Sequence, residues 1–91
     1  MNTPERYRVL YDPKDLKELA KLDKTVARRI LRTVNSLSGN PRPVGCRSLV
    51  GYKDLWRIRV GDYRVIYTIK DAELVVLALR VAHRSDVYRK L

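Results

Sequence analysis

Six side chains in this sequence have the types and spacing that RNA cleavage demands: Arg57, Arg59, Arg64, His83, Arg84 and Tyr88. Attack by a ribose 2′-hydroxyl on its own phosphodiester needs a base for the 2′ proton. It needs cations for the charge that builds on the phosphorane-like transition state, and an acid for the departing 5′ oxygen. Arginine does not give up a proton near pH 7, so the arginines can only stabilise charge. Histidine is the only residue type among the six whose ordinary range lies near neutrality, which singles out His83. Tyr88 can donate a proton or stack on a base. Singly, each has a plainer reading: a tail histidine is usually a surface residue, and a tyrosine one helical turn from Arg84 usually docks the tail. Convergence on one patch is what favours chemistry.

The element that must position the arginines is Leu55 to Tyr67, LWRIRVGDYRVIY. Residues alternate with period two on both sides of Gly61-Asp62, which reads as a β-hairpin with a two-residue turn. Trp56, Ile58, Val60, Tyr63, Val65 and Tyr67 then share the apolar face. In that register Val60 pairs with Tyr63, Arg59 lies directly across from Arg64, and Arg57 lies across from Ile66. Like charges opposite one another on a sheet are destabilising, by up to about 1 kcal/mol. Three guanidiniums so placed make sense around an anion. The bland alternative is a solvated basic face.

A tight Asp71-Ala72 turn would lead into a third apolar strand, Glu73 to Val81, buried on both faces. It would set Leu79 opposite Arg64 and Val81 opposite Asp62. His83 to Tyr88 would then emerge beside the arginines, with Ser85 capping a short final helix.

The charge balance points the same way. Twenty basic residues, 13 of them arginine, face ten acidic ones, a net charge of +10. Met1 to Asp23 is neutral, so Lys24 to Leu91 carries the whole excess. Such a domain usually meets a polyanion, and arginine suits bidentate contact with phosphate. Arg28, Arg29 and Arg32 on a helix, with Arg47 and Lys53 in the following loop, are the candidate RNA-backbone contacts. The single cysteine, Cys46, cannot form an internal disulfide, and no Cys/His cluster exists, so no metal and no cofactor is expected. No apolar run approaches 18 residues and no signal-peptide pattern is present, which predicts a cytoplasmic chain without membrane contact.

Ninety-one residues make one domain. Arg6 to Tyr11 alternates as a first strand. Asp12-Pro13 opens a helix with Leu16, Leu19 and Leu22 as its apolar stripe. Asp23 caps a second helix to about Leu37, with Val26, Ile30, Val34 and Leu37 facing inward and the arginines outward. Ser38-Gly39-Asn40-Pro41 stops it. Arg47 to Val50 is a candidate edge strand. The expectation is an α+β domain: an antiparallel sheet of about four strands, an N-terminal helical hairpin on one face and a short C-terminal helix.

With these residues in place, the chain resembles the RelE side of the RelE/ParE toxin superfamily. The likeness rests on LVGYKDLWRIRVGDYRVIY, with its GDYR motif, and on the HRSDVYRKL tail after an apolar strand. It covers nearly the whole chain. It implies a type II toxin that enters the A site of the 70S ribosome and cleaves mRNA. A RelB-like antitoxin would silence it, and the complex would bind operator DNA. By the same resemblance Arg57 and Arg59 fall on strand sites that are often basic, Arg64 on the GDYR arginine, His83-Arg84 on the basic tail position and Tyr88 on a tail tyrosine. Arginine stands where some relatives have a lysine able to act as base, which shifts weight to His83 for proton transfer. The competing expectation, on the same fold, is a ParE-like, non-enzymatic inhibitor of DNA gyrase. A general RNA-binding module is disfavoured, because Trp56, Tyr63 and Tyr67 fall on the core face rather than on an open stacking platform.

Overall fold

A computed structural model describes residues 6–83. In chain order the elements are β1 (Arg8–Tyr11), α1 (Pro13–Ala20), α2 (Lys24–Ser36), β2 (Arg47–Ser48), β3 (Leu55–Val60), β4 (Tyr63–Lys70) and β5 (Val75–His83). The strands form one five-stranded sheet in the order β1-β5-β4-β3-β2. The α+β class and the helical hairpin are as expected. The sheet has one strand more than anticipated and is mixed, because β1 runs parallel to β5, from Arg8 beside Val75 to Tyr11 beside Ala78. The anticipated C-terminal helix lies outside the described residues.

Both helices start where side chains cap them. The Asp12 carboxylate accepts the Lys14 N–H at 2.8 Å and the Asp23 carboxylate accepts that of Thr25 at 3.1 Å. On α2 the predicted face is observed, with Ile30 and Val34 fully buried and Leu37 buried just past the helix end. On α1 the predicted stripe is rotated. Leu19 is buried, Leu16 is half exposed, and Asp15 is buried in its place. At 100° per residue Asp15, Leu19 and Leu22 share one side, whereas Leu16 lies a quarter-turn away.

The core lies between the helices and one sheet face. Ile58, Val60, Val65, Tyr67, Val76, Ala78 and Val81 meet Leu19, Ile30, Val34 and Leu37 there. The other face is not bare. Leu49, Ile66 and Ala82 form a small second cluster on it, with Leu55 packed alongside.

The β3–β4 register is the predicted one, with Val60 opposite Tyr63, Arg59 opposite Arg64 and Arg57 opposite Ile66. Gly61 takes φ 61° in the turn. The β4–β5 register is not. A 3₁₀ turn at Asp71–Glu73 and a left-handed Leu74 replace the tight Asp71-Ala72 turn. An irregularity between Ile66 and Tyr67 then shifts the pairing further, so Arg64 faces Ala82 rather than Leu79, and Tyr63 faces His83. A slip of three residues is odd, so it moves His83 to the opposite face of the sheet.

Candidate anion-binding site

The hairpin places Arg57 and Arg59 two residues apart on β3, on the face away from the main core, and brings Arg64 to the same face from β4. The two-residue strand β2 adds a fourth guanidinium. Arg47 lies directly opposite Arg57. Gly45, Arg47, Arg57, Arg59 and Arg64 together line one concavity of about 160 Å³. Arg47 and Arg59 are exposed, whereas Arg57 and Arg64 are half-buried. The Arg59 Nε donates to the Gly61 carbonyl at 3.1 Å, which fixes the base of that guanidinium and leaves its fork available.

Four permanently charged forks in a partly desolvated hollow can bind a phosphate and stabilise charge that develops on it. They cannot move a proton. No side chain that titrates near neutrality lines the concavity among the described residues.

His83 is elsewhere. It pairs with Tyr63, and the two rings meet edge to face at 5.3 Å between centroids. With Glu18, Lys21, Leu22, Tyr63 and Arg80 it lines a groove between α1 and the end of β5, on the helix side of the sheet. The expected cluster of His83 with the arginines is therefore not formed by these residues, because the shifted β4–β5 register turns the ring to the other face. Arg84 and Tyr88 lie outside the described residues.

The candidate backbone contacts divide. Arg28, Arg29 and Arg32 line a groove on the outer side of α2 with Thr25. Arg29 also reaches the hairpin turn, where a β-carbon on Gly61 would stand 3.4 Å from its guanidinium. The basic surface thus runs from α2 past the turn towards the concavity. Lys53 stands exposed in the loop before β3 and does not line the concavity. Arg47, expected as a backbone contact, joins the central cluster instead.

A second network, unremarked in the sequence, holds the loop before β2. Asp71 accepts from Arg42 through both terminal nitrogens, at 3.2 and 2.9 Å, and from the Tyr7 hydroxyl at 2.7 Å. The Arg42 guanidinium beside it, then the Tyr7 hydroxyl, hold the Asp71 carboxyl down to about 2. Arg42 also lies over the Trp56 ring, 5.1 Å from its centroid. Among the described residues no group of His, Cys, Asp and Glu could hold a metal ion, and no helix is long and apolar enough to cross a membrane.

The sequence and the fold both have relatives. Residues 9–88 match the family model described as the ParE toxin of the type II toxin-antitoxin system parDE. The chain belongs to the RelE/ParE superfamily of type II toxins. It is 33% identical over 88 residues to toxin RelG of Mycobacterium tuberculosis, covering 92% of this chain and 98% of that one. It is 30% identical over 82 residues to the mRNA interferase toxin RelE of Escherichia coli K12, covering 86% and 85%. The crystal structure of the archaeal RelE-RelB complex from Pyrococcus horikoshii superposes with a TM-score of 0.76 at 35% identity, covering 86% of this chain and 94% of that one.

Proposed function

We propose that this toxin is a ribosome-dependent mRNA endonuclease that cleaves in the A site and is silenced by a RelB-like antitoxin. The observation that carries the reading is the concavity of Arg47, Arg57, Arg59 and Arg64, built from two cross-strand arginine pairs. A relative of similar length is named an mRNA interferase, and a structural relative is complexed with RelB.

In this reading the scissile phosphate enters the concavity. The 2′-hydroxyl passes its proton to solvent or to a ribosomal group, and its oxygen forms a bond to phosphorus as the bond to the 5′ oxygen breaks, leaving a 2′,3′-cyclic phosphate and a 5′-hydroxyl. The four guanidiniums hold the extra negative charge of the transition state. Arg84 and Tyr88 are the chain's own candidates to complete the site, with Tyr88 able to protonate the leaving oxygen. Arg28, Arg29, Arg32 and Lys53 follow ribosomal RNA backbone. Repression of the operon by toxin and antitoxin together belongs to the same proposal.

A second reading has its own support, since the matching family model is that of ParE. In it the chain binds DNA gyrase and cleaves nothing. Induced expression followed by mapping of mRNA 5′ ends separates the two. Cuts within translated frames support the endonuclease. Intact mRNA with double-strand DNA breaks overturns it in favour of the gyrase inhibitor.

A further inference from the structure

We propose that Arg42 is a positioning residue for the arginine concavity: clamped between Asp71 and Trp56, it fixes the loop that delivers Gly45 and Arg47 to the site. The inference rests on the reading that the concavity binds RNA phosphate.

Strand β2 is two residues long, so its ladder supplies few bonds to fix an edge strand. What precedes it is a loop rich in proline and glycine. That loop must cross from the helix side of the sheet, where Pro41 is buried, to the arginine face, where Gly45 lines the concavity. Gly45 makes the crossing with φ 98°, a conformation that favours glycine. The chain is held on the helix side at Pro41 and Arg42, and again at Cys46, which packs against the main core just before Arg47. The buried Tyr67 hydroxyl donates to the Pro41 carbonyl at 2.8 Å. Arg42, one residue on, grips Asp71 with both terminal nitrogens and lies over the Trp56 ring.

The grip is tied to the site from a second direction. Trp56 is the cross-strand partner of Ser48 and the chain neighbour of Arg57. Tyr7, just before β1, joins the network through Asp71. An isolated exposed ion pair contributes little. A bidentate pair that is also stacked and hydrogen-bonded from a third element is a network, and such networks can exceed the sum of their pairs.

Arg42 itself does not line the concavity, and its guanidinium is committed to Asp71. It acts through Arg47 rather than on the ligand. Asp71 makes the sharp test, because charge and position then predict opposite signs. Removing an acidic residue from a basic protein should strengthen binding to RNA. Losing the clamp should weaken it.

The probe is a short fluorescein-labelled 2′-O-methyl RNA, which cannot be cleaved through its 2′ position, followed by anisotropy across a salt series. Folding of each variant is checked by thermal unfolding. Arg47→Ala removes one charge-assisted interaction and should weaken binding about tenfold. Asp71→Asn should also weaken it, several-fold. Arg42→Ala should do the same, and Arg42→Lys should not restore it, since one ammonium can neither fork nor stack. The double variant Arg42→Ala with Arg47→Ala should bind no worse than Arg47→Ala alone. Its salt slope should drop by the same single phosphate.

Tighter binding in Asp71→Asn, or additive weakening and a two-phosphate drop in the double variant, would overturn the proposal and make Arg42 a direct RNA contact. Full rescue by Arg42→Lys would overturn it too. Should Asp71→Asn not fold, the double-variant comparison decides alone. Arg64→Ala is the control for the underlying reading. If it leaves probe binding unchanged, the concavity is not the RNA site. If it weakens binding while Asp71→Asn does not, the site stands and only the clamp fails.

Discussion

Arg59 and Arg64 occupy directly opposite positions of the β3–β4 ladder, on the sheet face that the helices do not cover. Arg47 and Arg57 repeat the arrangement across the β2–β3 ladder. Each like-charge pair costs up to about 1 kcal/mol in the absence of an anion. Both pairs open onto the same concavity, so a phosphate bound there would lie against all four guanidiniums.

Arg64→Ala should lower single-turnover cleavage on programmed ribosomes on the order of a hundredfold or more, about 3 kcal/mol of lost transition-state stabilisation. Its unfolding temperature should stay close to that of the parent, because repulsion from Arg59 is removed together with the packing of Arg64. Arg64→Lys should recover part of the rate only, since an ammonium lacks the planar fork. A variant that unfolds many degrees earlier and cleaves in proportion to its folded fraction would make Arg64 structural.

The edge-to-face contact with Tyr63 gives His83 a packing role on the helix side of the sheet. His83→Ala should lose about 1 kcal/mol of stability. It should cleave within a few-fold of the parent, with an unchanged pH–rate profile. Loss of 10²- to 10⁴-fold in rate, together with a missing limb near neutrality, is the signature of general acid–base catalysis. That result would return His83 to the chemistry and require its ring to reach the arginine face in the ribosome complex.

The groove of Arg28, Arg29 and Arg32 on α2 should serve affinity and not chemistry. Replacing all three by alanine should weaken ribosome binding and flatten its dependence on salt, by roughly one unit for each phosphate left without its arginine. The cleavage rate at saturating ribosome should hold. Unchanged affinity and slope would make these three a solvated helix face.

How much of this was legible beforehand depended on what fixed each register. A two-residue turn leaves a hairpin no freedom, so the arginine face of β3 and β4 could be read from LWRIRVGDYRVIY alone. The β4–β5 connection carries no such mark. Its left-handed residue is Leu74 rather than a glycine, and the irregularity between Ile66 and Tyr67 falls in an unbroken apolar run. Arg47 was visible as a basic residue opening a candidate edge strand, Arg47 to Val50. Its pairing with Arg57 was not, because so short a strand carries no pattern that fixes its register. The parallel pairing of β1 with β5 joins opposite ends of the chain, which local patterns do not encode. Asp15 has the residue type of an exposed first turn and is instead buried in α1.

That burial makes Asp15 the clearest lever on stability. Neither carboxylate oxygen has a hydrogen-bond partner. Burial first, then the neighbouring charges of Glu18 and Asp12, push the carboxyl up to about 6. The folded chain therefore keeps a proton that the unfolded chain releases between about pH 4 and 6. The stabilisation is fully present below pH 4 and is lost as pH rises through 6. Asp71, held down to about 2, works the other way and loses its contribution as pH falls from about 4 towards 2. Asp15→Asn should consequently stabilise the protein at pH 7, by up to about 3 kcal/mol from a shift of roughly two pK units. It should also flatten the fall in stability between pH 4 and 6. Urea unfolding across that range checks both. If the parent is equally stable at pH 4.5 and pH 7, or if Asp15→Asn is less stable at pH 7, the ionised carboxylate has a partner in solution and the buried charge carries no penalty.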